Sequence, residues 1–311
     1  KVAQVLFDIS QSPAPCFGAR ATELAADCPR SNELADSFFA LQNWKTQIRR
    51  LPNQDGRKCQ SKQGEAAVKV CSFGAAKESA ERYIALIGDS HAGVWMPALA
   101  QFAEVEKIRI VTFFASSCPA TDAVDAFAYY LPKAKREGCL SWRKASVEAI
   151  LSHAQIDTVI TTGSAYAHKK LSPSGWIEDD GVGFANLWSR FIAGGKRVIV
   201  IDDVPPLRTK LPECLARPHN KDDPCSRPAS EVPLKTAIAR AVELMKPGEL
   251  DFLPMRQVFC DPATCHAIIG GLPAYMDRDH ISAPFARSLS SRIQRLVVRK
   301  EAPFPTSDSR P

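Results

Sequence analysis

From residue 83 onward, short and almost continuous apolar runs alternate with stretches whose apolar residues recur at helical spacing. The runs span 83–87, 108–114, 156–162 and 197–201, with a weaker one at 250–253. Strands that lack a polar face are typical of a parallel sheet covered on both sides. The pattern therefore predicts an α/β fold built on a parallel sheet.

The stretches between these runs predict the helices that cover the sheet, at 97–106, 140–153, 184–193 and 233–245. The clearest helix is the last one, because Ser282 can cap it and Pro284 suits its first turn. One apolar stripe follows, formed by Phe285, Leu289, Ile293 and Leu296.

The chain before residue 81 has a different character, with four cysteines, one plausible helix at about 33–50 and no convincing buried strand. We therefore predict three parts. Residues 1–80 form an N-terminal extension that packs on the core or links to it, residues 81–300 form the core domain, and residues 301–311 form a flexible tail.

The ten cysteines fall along the chain as five pairs of close neighbours. Such usage is typical of an oxidising compartment, and no pair has the spacing of a zinc site. We predict five local disulfides, namely Cys16–Cys28, Cys59–Cys71, Cys118–Cys139, Cys214–Cys225 and Cys260–Cys265. Two of them would hold the aperiodic segments 115–139 and 203–232, which we interpret as binding loops. We expect no metal ion and no cofactor.

Composition excludes several classes of protein. Apolar residues make up 45% of the chain and charged residues 24%, as in ordinary globular domains. The net charge of +6 comes without a concentrated basic stripe, so we expect no nucleic-acid partner. Since no apolar stretch reaches 18 residues, we expect this chain itself not to span a membrane.

Ser90 is the candidate nucleophile. It stands in Gly88-Asp89-Ser90-His91, between an apolar strand and a predicted helix. Ligands of open parallel sheets bind outside the carboxyl ends of the strands, and a helix N-terminus favours a developing oxyanion. A serine at such a turn is as often a simple helix cap. His91 is the next residue, so we expect it to line the pocket.

A serine hydroxyl needs a base, and His280 is the candidate. It lies directly before the last helix, with Asp277 three residues and Asp279 one residue earlier. Either carboxylate could orient the imidazole, and spacing alone does not separate them. The remaining histidines suit surface or structural positions.

These residues resemble the first and last blocks of the SGNH hydrolase superfamily, as Gly88-Asp89-Ser90-His91 and Asp277-x-x-His280. The narrower resemblance is to the periplasmic SGNH domains fused to acyltransferase-3 membrane proteins. It rests on Ser90-His91, Ser117-Cys118-Pro119, the pair Cys260 and Cys265, and Tyr275-x-Asp277-x-x-His280-Ile281-Ser282.

The resemblance implies a three-layer α/β/α, flavodoxin-like SGNH fold preceded by a disulfide-stapled extension. It also implies O-acetylation of bacterial surface polysaccharide, such as lipopolysaccharide O-antigen, in the periplasm. A membrane acyltransferase-3 domain would deliver the acyl donor and a glycan would accept it. Ser90, Asp277 and His280 would be the catalytic residues. A secreted carbohydrate esterase and a non-catalytic glycan-binding module are the alternatives.

The sequence departs from the superfamily at the expected oxyanion hole. The second block lacks its glycine, where Ser116-Ser117-Cys118 stands, and the third lacks its asparagine, where Gly163-Ser164 stands. We therefore expect oxyanion donors from Ser90 and from Ser117, Gly163 or Ser164.

Overall fold

The computed structural model describes residues 18–22, 59–217 and 223–298. The predicted bridge Cys16–Cys28, the helix at 33–50 and the tail at 301–311 lie outside these residues. The division of the chain at residues 80 and 300 stays a prediction.

Fourteen strands are present in the described residues, and five of them have only two residues. In chain order they are β1 Gln60–Ser61, β2 Val70–Gly74, β3 Arg82–Gly88, β4 Ile108–Ala115, β5 Ala126–Ala128, β6 Ile156–Thr161, β7 His168–Ser172, β8 Gly175–Glu178, β9 Arg197–Ile201, β10 Arg227–Pro228, β11 Asp251–Leu253, β12 Thr264–Cys265, β13 Ile268–Ile269 and β14 Leu272–Pro273.

Nine α-helices accompany them in the described ranges, and short 3₁₀ turns lie at Gly18–Thr22 and Ala229–Glu231. The α-helices are α1 Ser90–Gly93, α2 Met96–Leu99, α3 Lys133–Ser152, α4 Val182–Ala193, α5 Leu211–Leu215, α6 Ala237–Glu243, α7 Arg256–Phe259, α8 Ala283–Ser288 and α9 Ser290–Val298. No described helix is long and apolar enough to cross a bilayer.

The central sheet has the strand order β1-β4-β3-β6-β9-β11, and every pairing along this path is parallel. All five predicted strands are in it. The register places Leu86 beside Ile160 and Ile160 beside Ile199, so apolar side chains line up across the strands. The order reverses between β3 and β6, where open α/β sheets bind their ligands.

Both faces of the sheet are buried, because alternate side chains of a strand point to opposite sides. Ile84 and Leu86 belong to one apolar core, whereas Ala85 and Ile87 belong to the other. The first core includes side chains of α2, α8 and α9, and the second includes those of α3, α4 and α6. This arrangement is the three-layer α/β/α fold predicted from the sequence.

The segment assigned to the extension contributes two strands that the sequence did not predict. β1 and β2 share one edge of β4: β1 pairs with it in parallel at Phe114 and Ala115, and β2 pairs antiparallel along Arg109 to Phe113. The bridge Cys59–Cys71 joins the residues beside these strands. Both strands are short and mostly not buried, so they carry little apolar pattern.

Some predicted boundaries were wrong. Helix α3 begins at Lys133 rather than 140, directly after Pro132, whose ψ of 141° lies outside the helical range. The segment 115–139 therefore contains β5 and the start of α3, and 203–232 contains α5. The predicted helix 97–106 ends at Leu99, with turns beyond it.

The last helix is two helices, α8 and α9, that meet at Leu289. Ser282 caps α8 as predicted and accepts a hydrogen bond from the Phe285 N–H. The hydroxyl of Ser288 donates to the Phe285 carbonyl at 2.7 Å, and a serine that bonds back into its own helix favours a bend.

The four predicted bridges within the described residues are all present: Cys59–Cys71, Cys118–Cys139, Cys214–Cys225 and Cys260–Cys265. Cys118–Cys139 ties the loop after β4 to helix α3. Cys214–Cys225 ties α5 to the segment before β10.

Candidate active site

The turn from β3 into α1 holds Ser90 at the carboxyl edge of the sheet. Gly88 has a φ of 154°, and a Cβ on it would lie 2.1 Å from the Thr162 carbonyl oxygen. Glycine is therefore required where β3 passes the end of β6. Asp89 caps α1, since its carboxylate accepts a hydrogen bond from the His91 N–H at 2.9 Å.

The second oxygen of Asp89 accepts a hydrogen bond from the Ser164 N–H at 3.0 Å. Asp89 is fully buried, so its two hydrogen bonds satisfy an otherwise costly carboxylate. The contact joins the turn that carries Ser90 to the loop after β6. It also occupies the Ser164 N–H, so Ser164 has only its hydroxyl left to offer a substrate.

His280 lies beside Ser90 although 190 residues separate them. The His280 Nε2 atom is 2.8 Å from the Ser90 Oγ atom, and its Nδ1 atom is 2.9 Å from Asp277 Oδ2. The other Asp277 oxygen accepts the backbone N–H groups of Asp279 and His280. These bonds form a tight turn that presents the imidazole to Ser90.

Asp279 is a second carboxylate at the same ring nitrogen, with Oδ1 at 3.1 Å from His280 Nδ1. Asp277 makes the shorter contact, so it is the closer orienting partner. Burial and the charge of His91 both lower the pKa of His280. The hydrogen bonds of Asp277 and Asp279 raise it by more, so the net pKa of His280 is raised. Burial raises the pKa of Asp277, yet its bonds with His280 leave the net pKa lowered.

His91 is one of the residues that line the cleft described below. The residue is 4% exposed, and its Nδ1 atom lies 2.7 Å from Asp203 Oδ1. Its ring centroid is 4.5 Å from that of His280. Burial lowers the pKa of His91. The charge and hydrogen bond of Asp203 raise it by more than this, so the net pKa is raised to about 10. The buried ion pair with Asp203 therefore favours the protonated form of His91.

A cleft of about 210 Å³ opens beside these groups. His91, Asp203 and Asp279 form part of its wall. The rest of its wall is formed by Tyr129, Ser164, Tyr166, Ala167, Val204, Pro206, Leu207, Arg227 and Arg278. The cleft therefore combines aromatic and cationic side chains with His91 and Asp279, which both lie beside His280.

His91, Asp279 and His280 bring ligand-type atoms within 4.8 Å of one another. The nitrogens of His280 already meet Ser90 and two carboxylates, and His91 Nδ1 meets Asp203. Because these nitrogens and carboxylates already hold hydrogen-bond and ion-pair partners, we treat none of these residues as a metal ligand.

Residues 58–295 match the model of a family described as the SGNH domain fused to AT3 domains. The chain belongs to this family. None of the curated proteins compared with it matches.

A solved structure supports the fold of this SGNH domain. It is the periplasmic domain of a lipopolysaccharide acetyltransferase from Salmonella ser. Paratyphi A, with 13% identity and a TM-score of 0.55. The alignment covers 87% of this chain and 100% of that chain.

The expected oxyanion residues of the SGNH domain differ in what they can offer. Ser117 has a φ of 57°, the left-handed conformation that favours glycine, which is the residue its block usually carries. Within the described residues its N–H makes no hydrogen bond. A Cβ on Gly163 would lie 3.3 Å from the Pro119 Cβ atom and 3.7 Å from Asp89 Oδ2, so a larger residue would crowd Pro119.

Asp203, Tyr130 and Arg278 also lie at the site, and none of them was predicted from the sequence. Asp202-Asp203 directly follows the apolar run of β9. Polar residues at that end of a parallel strand lie at the ligand crevice, so the sequence could have indicated Asp203 as a site residue. Tyr130 comes from the loop 115–139, and its hydroxyl interacts with the side chains of Ser117 and Ser164. Desolvation and the nearby Asp89 carboxylate raise the pKa of Tyr130 to about 12 although 46% of the residue is exposed, so its hydroxyl is protonated at neutral pH.

Proposed function

We propose that this chain is the acyl-transfer domain of an O-acetyltransferase, with Ser90 as nucleophile, His280 as base and Asp277 as the residue that orients the base. The observation that carries the proposal is the continuous path of hydrogen bonds from Asp277 through His280 to Ser90. This order of contacts is what an activated serine needs. Membership in a family of domains fused to AT3 domains supports the choice of acetyl transfer.

The first half-reaction would acylate Ser90. The Ser90 hydroxyl gives its proton to His280 Nε2 while its oxygen bonds to the acetyl carbonyl carbon of the donor. The tetrahedral intermediate then breaks its bond to the leaving group, which takes the proton from His280. In the second half, an acceptor hydroxyl gives its proton to His280 and attacks the acetyl-serine. The new ester leaves, and Ser90 regains the proton.

The oxyanion of each intermediate needs preorganised donors. The Ser90 N–H lies in the first turn of α1, where backbone N–H groups have no partner within the helix. We add the Ser117 N–H and the Gly163 N–H, and the Tyr130 hydroxyl in place of the absent asparagine. Tyr130 suits this role because its raised pKa keeps it protonated.

The acceptor would be a hydroxyl of a bacterial surface polysaccharide, such as lipopolysaccharide O-antigen, bound in the cleft beside His280. Tyr129 and the Arg278 side chain, each 48% exposed, offer a flat ring and a planar donor to a sugar. The donor would be delivered by the fused membrane acyltransferase-3 domain, and the reaction would take place in the periplasm. The Salmonella structure named above is the periplasmic domain of a lipopolysaccharide acetyltransferase, which favours this acceptor class.

The test is a chromogenic acetyl ester with and without sugar acceptors, followed by mass spectrometry of the intact protein. We expect wild type to gain the mass of one acetyl group in a rapid burst. Ser90→Ala should lose the burst and at least about a thousandfold in rate. Ser79→Ala, which alters an exposed serine, should behave as wild type.

The outcomes separate the candidate functions. Acetyl transfer to a polysaccharide acceptor that competes with hydrolysis supports the transferase. Fast hydrolysis without any effect of acceptors points to a carbohydrate esterase. An unacetylated Ser90 and equal rates for wild type and Ser90→Ala would remove the catalytic role.

A further inference from the structure

A second histidine–aspartate pair lies directly beside the proposed base. His91 and Asp203 are joined at 2.7 Å, and their side chains are 5% and 3% exposed. The His91 ring lies against the His280 ring with 4.5 Å between centroids. Neither His91 nor Asp203 has a part in the steps of acyl transfer given above.

Asp203 is held rigidly from several directions. Its Oδ1 atom also accepts the Val204 N–H at 2.8 Å, and its Oδ2 atom accepts the Tyr166 N–H at 3.2 Å. Its own N–H donates to Asp202 at 2.8 Å. A carboxylate fixed in this way, with almost no contact with water, fixes both the position and the positive charge of His91.

The proposed base has an excess of negative neighbours. Both Asp277 and Asp279 contact His280 Nδ1, whereas one carboxylate is enough to orient an imidazole. A second carboxylate would stabilise the protonated imidazole further, and a base that stays protonated at neutral pH cannot accept the serine proton. A nearby cation would offset this effect.

We propose that His91, held by Asp203, is a positioning residue for His280: its fixed positive charge offsets Asp279 and keeps His280 able to accept a proton near neutral pH. This inference rests on the proposed function, since it assigns a role within the same catalytic site. It explains why a charged pair is buried next to the nucleophile, where two apolar residues would cost less to bury.

The charged and titratable groups around His280 come from four parts of the fold. Helix α1 supplies His91, the turn before α8 supplies two carboxylates and a guanidinium, the end of β9 supplies Asp203, and the 115–139 loop supplies a phenol. They are His91, Asp203, Asp277, Arg278, Asp279 and Tyr130. Arg278 pairs with Asp279 at 3.4 Å at the exposed rim, so His91 is the buried cation of the set.

The test compares the pH profiles of kcat/KM for a chromogenic acetyl ester. His91→Gln removes the cation and should move the acid limb to higher pH, with about tenfold loss at pH 6 and little loss at pH 8.5. Asp279→Asn removes the extra carboxylate and should move the limb to lower pH. The double variant should return close to the wild-type profile.

Asp203→Asn is a second route to the same change, because it leaves the His91 ring in place but removes the partner that keeps it charged. It should shift the acid limb in the same direction as His91→Gln. Circular dichroism and the unfolding midpoint show whether each variant is folded.

Loss of activity by the same factor at all pH values would overturn the proposal, as would an unchanged acid limb in both His91→Gln and Asp203→Asn. Loss of wild-type activity on treatment with a chelator would also overturn it, because the cluster would then be a metal site. In any of these cases a Ser90-dependent acetyl-enzyme leaves the proposed function standing. Activity that persists in Ser90→Ala removes the proposed function first.

Discussion

Asp89 accepts a hydrogen bond from the Ser164 N–H, 75 residues away, through the carboxylate that also caps helix α1. One buried side chain therefore connects the nucleophile turn after β3 with the loop after β6. These two loops lie on either side of the point where the strand order reverses, so their relative position sets the shape of the crevice.

Asp89→Asn tests this connection. An amide has only one acceptor oxygen, and its NH₂ group would face a backbone N–H, so one buried donor loses its partner. We expect a loss of about 1–3 kcal/mol in the free energy of unfolding, measured with urea, and a lower kcat. The matched control Asp157→Asn alters a carboxylate that is 44% exposed in an ion pair with Arg82, and it should cost less than about 1 kcal/mol. Equal effects of the two changes would contradict this role of Asp89.

Gly88→Ala tests the close approach of β3 and β6. The new methyl group would meet the Thr162 carbonyl at 2.1 Å, so the backbone must shift next to Ser90. We expect a loss of at least about 3 kcal/mol in stability together with loss of activity. Gly195 has a φ of 74° but no atom within 4 Å of an added Cβ, so Gly195→Ala should cost only about 1 kcal/mol and retain activity. A Gly88→Ala protein as stable as Gly195→Ala would show that the turn has room.

Strands β3, β4, β6, β9 and β11 of the central sheet could be predicted because parallel strands buried on both faces have continuous apolar runs in the sequence. Ile84 and Ala85 point into opposite cores, yet both positions must be apolar. Strands β1 and β2 have no such apolar run, since their side chains are mostly not buried. The break at Leu289 could not be predicted, because the apolar stripe of the predicted helix runs through both α8 and α9.

The contact of His280 with Ser90 could be predicted from the two sequence motifs that carry them, but the His91–Asp203 pair could not. His91 was predicted to line the pocket from its sequence neighbour alone, whereas its partner Asp203 lies 112 residues away at the end of another strand. A pattern of polar residues after strand ends locates such groups in the crevice without saying which of them pair. Choosing between Asp277 and Asp279 likewise needed distances.

The bridge Cys118–Cys139 should support both stability and activity. It closes 21 residues and fixes the loop that carries Ser117 and Tyr130 onto helix α3. Replacing both cysteines by serine should cost about 3 kcal/mol in the chain-entropy description, and it should lower kcat because the proposed oxyanion donors lose their support. The same change at Cys260 and Cys265 removes a bridge across only 5 residues, so we expect about 2 kcal/mol and a smaller loss of activity. Thermal unfolding and ester turnover measure both pairs, and a larger loss of activity for the shorter bridge would contradict this assignment.

The pair His91–Asp203 makes stability depend on pH in a definite direction. Because Asp203 raises the pKa of His91 from 6.5 to about 10 in the folded protein, folding favours the protonated imidazole. The resulting stabilisation is complete below pH 6.5, where the unfolded chain also binds the proton, and it is lost as the pH rises through about 10. Wild type should therefore have a higher unfolding midpoint than Asp203→Asn most clearly at pH 6, and the difference should shrink steadily between pH 7 and pH 10.

Differential scanning calorimetry at several pH values measures this difference, with Asp157→Asn as a control whose offset from wild type stays constant over the same range. A difference between wild type and Asp203→Asn that is constant or grows toward pH 10 would mean that His91 is neutral in the folded protein.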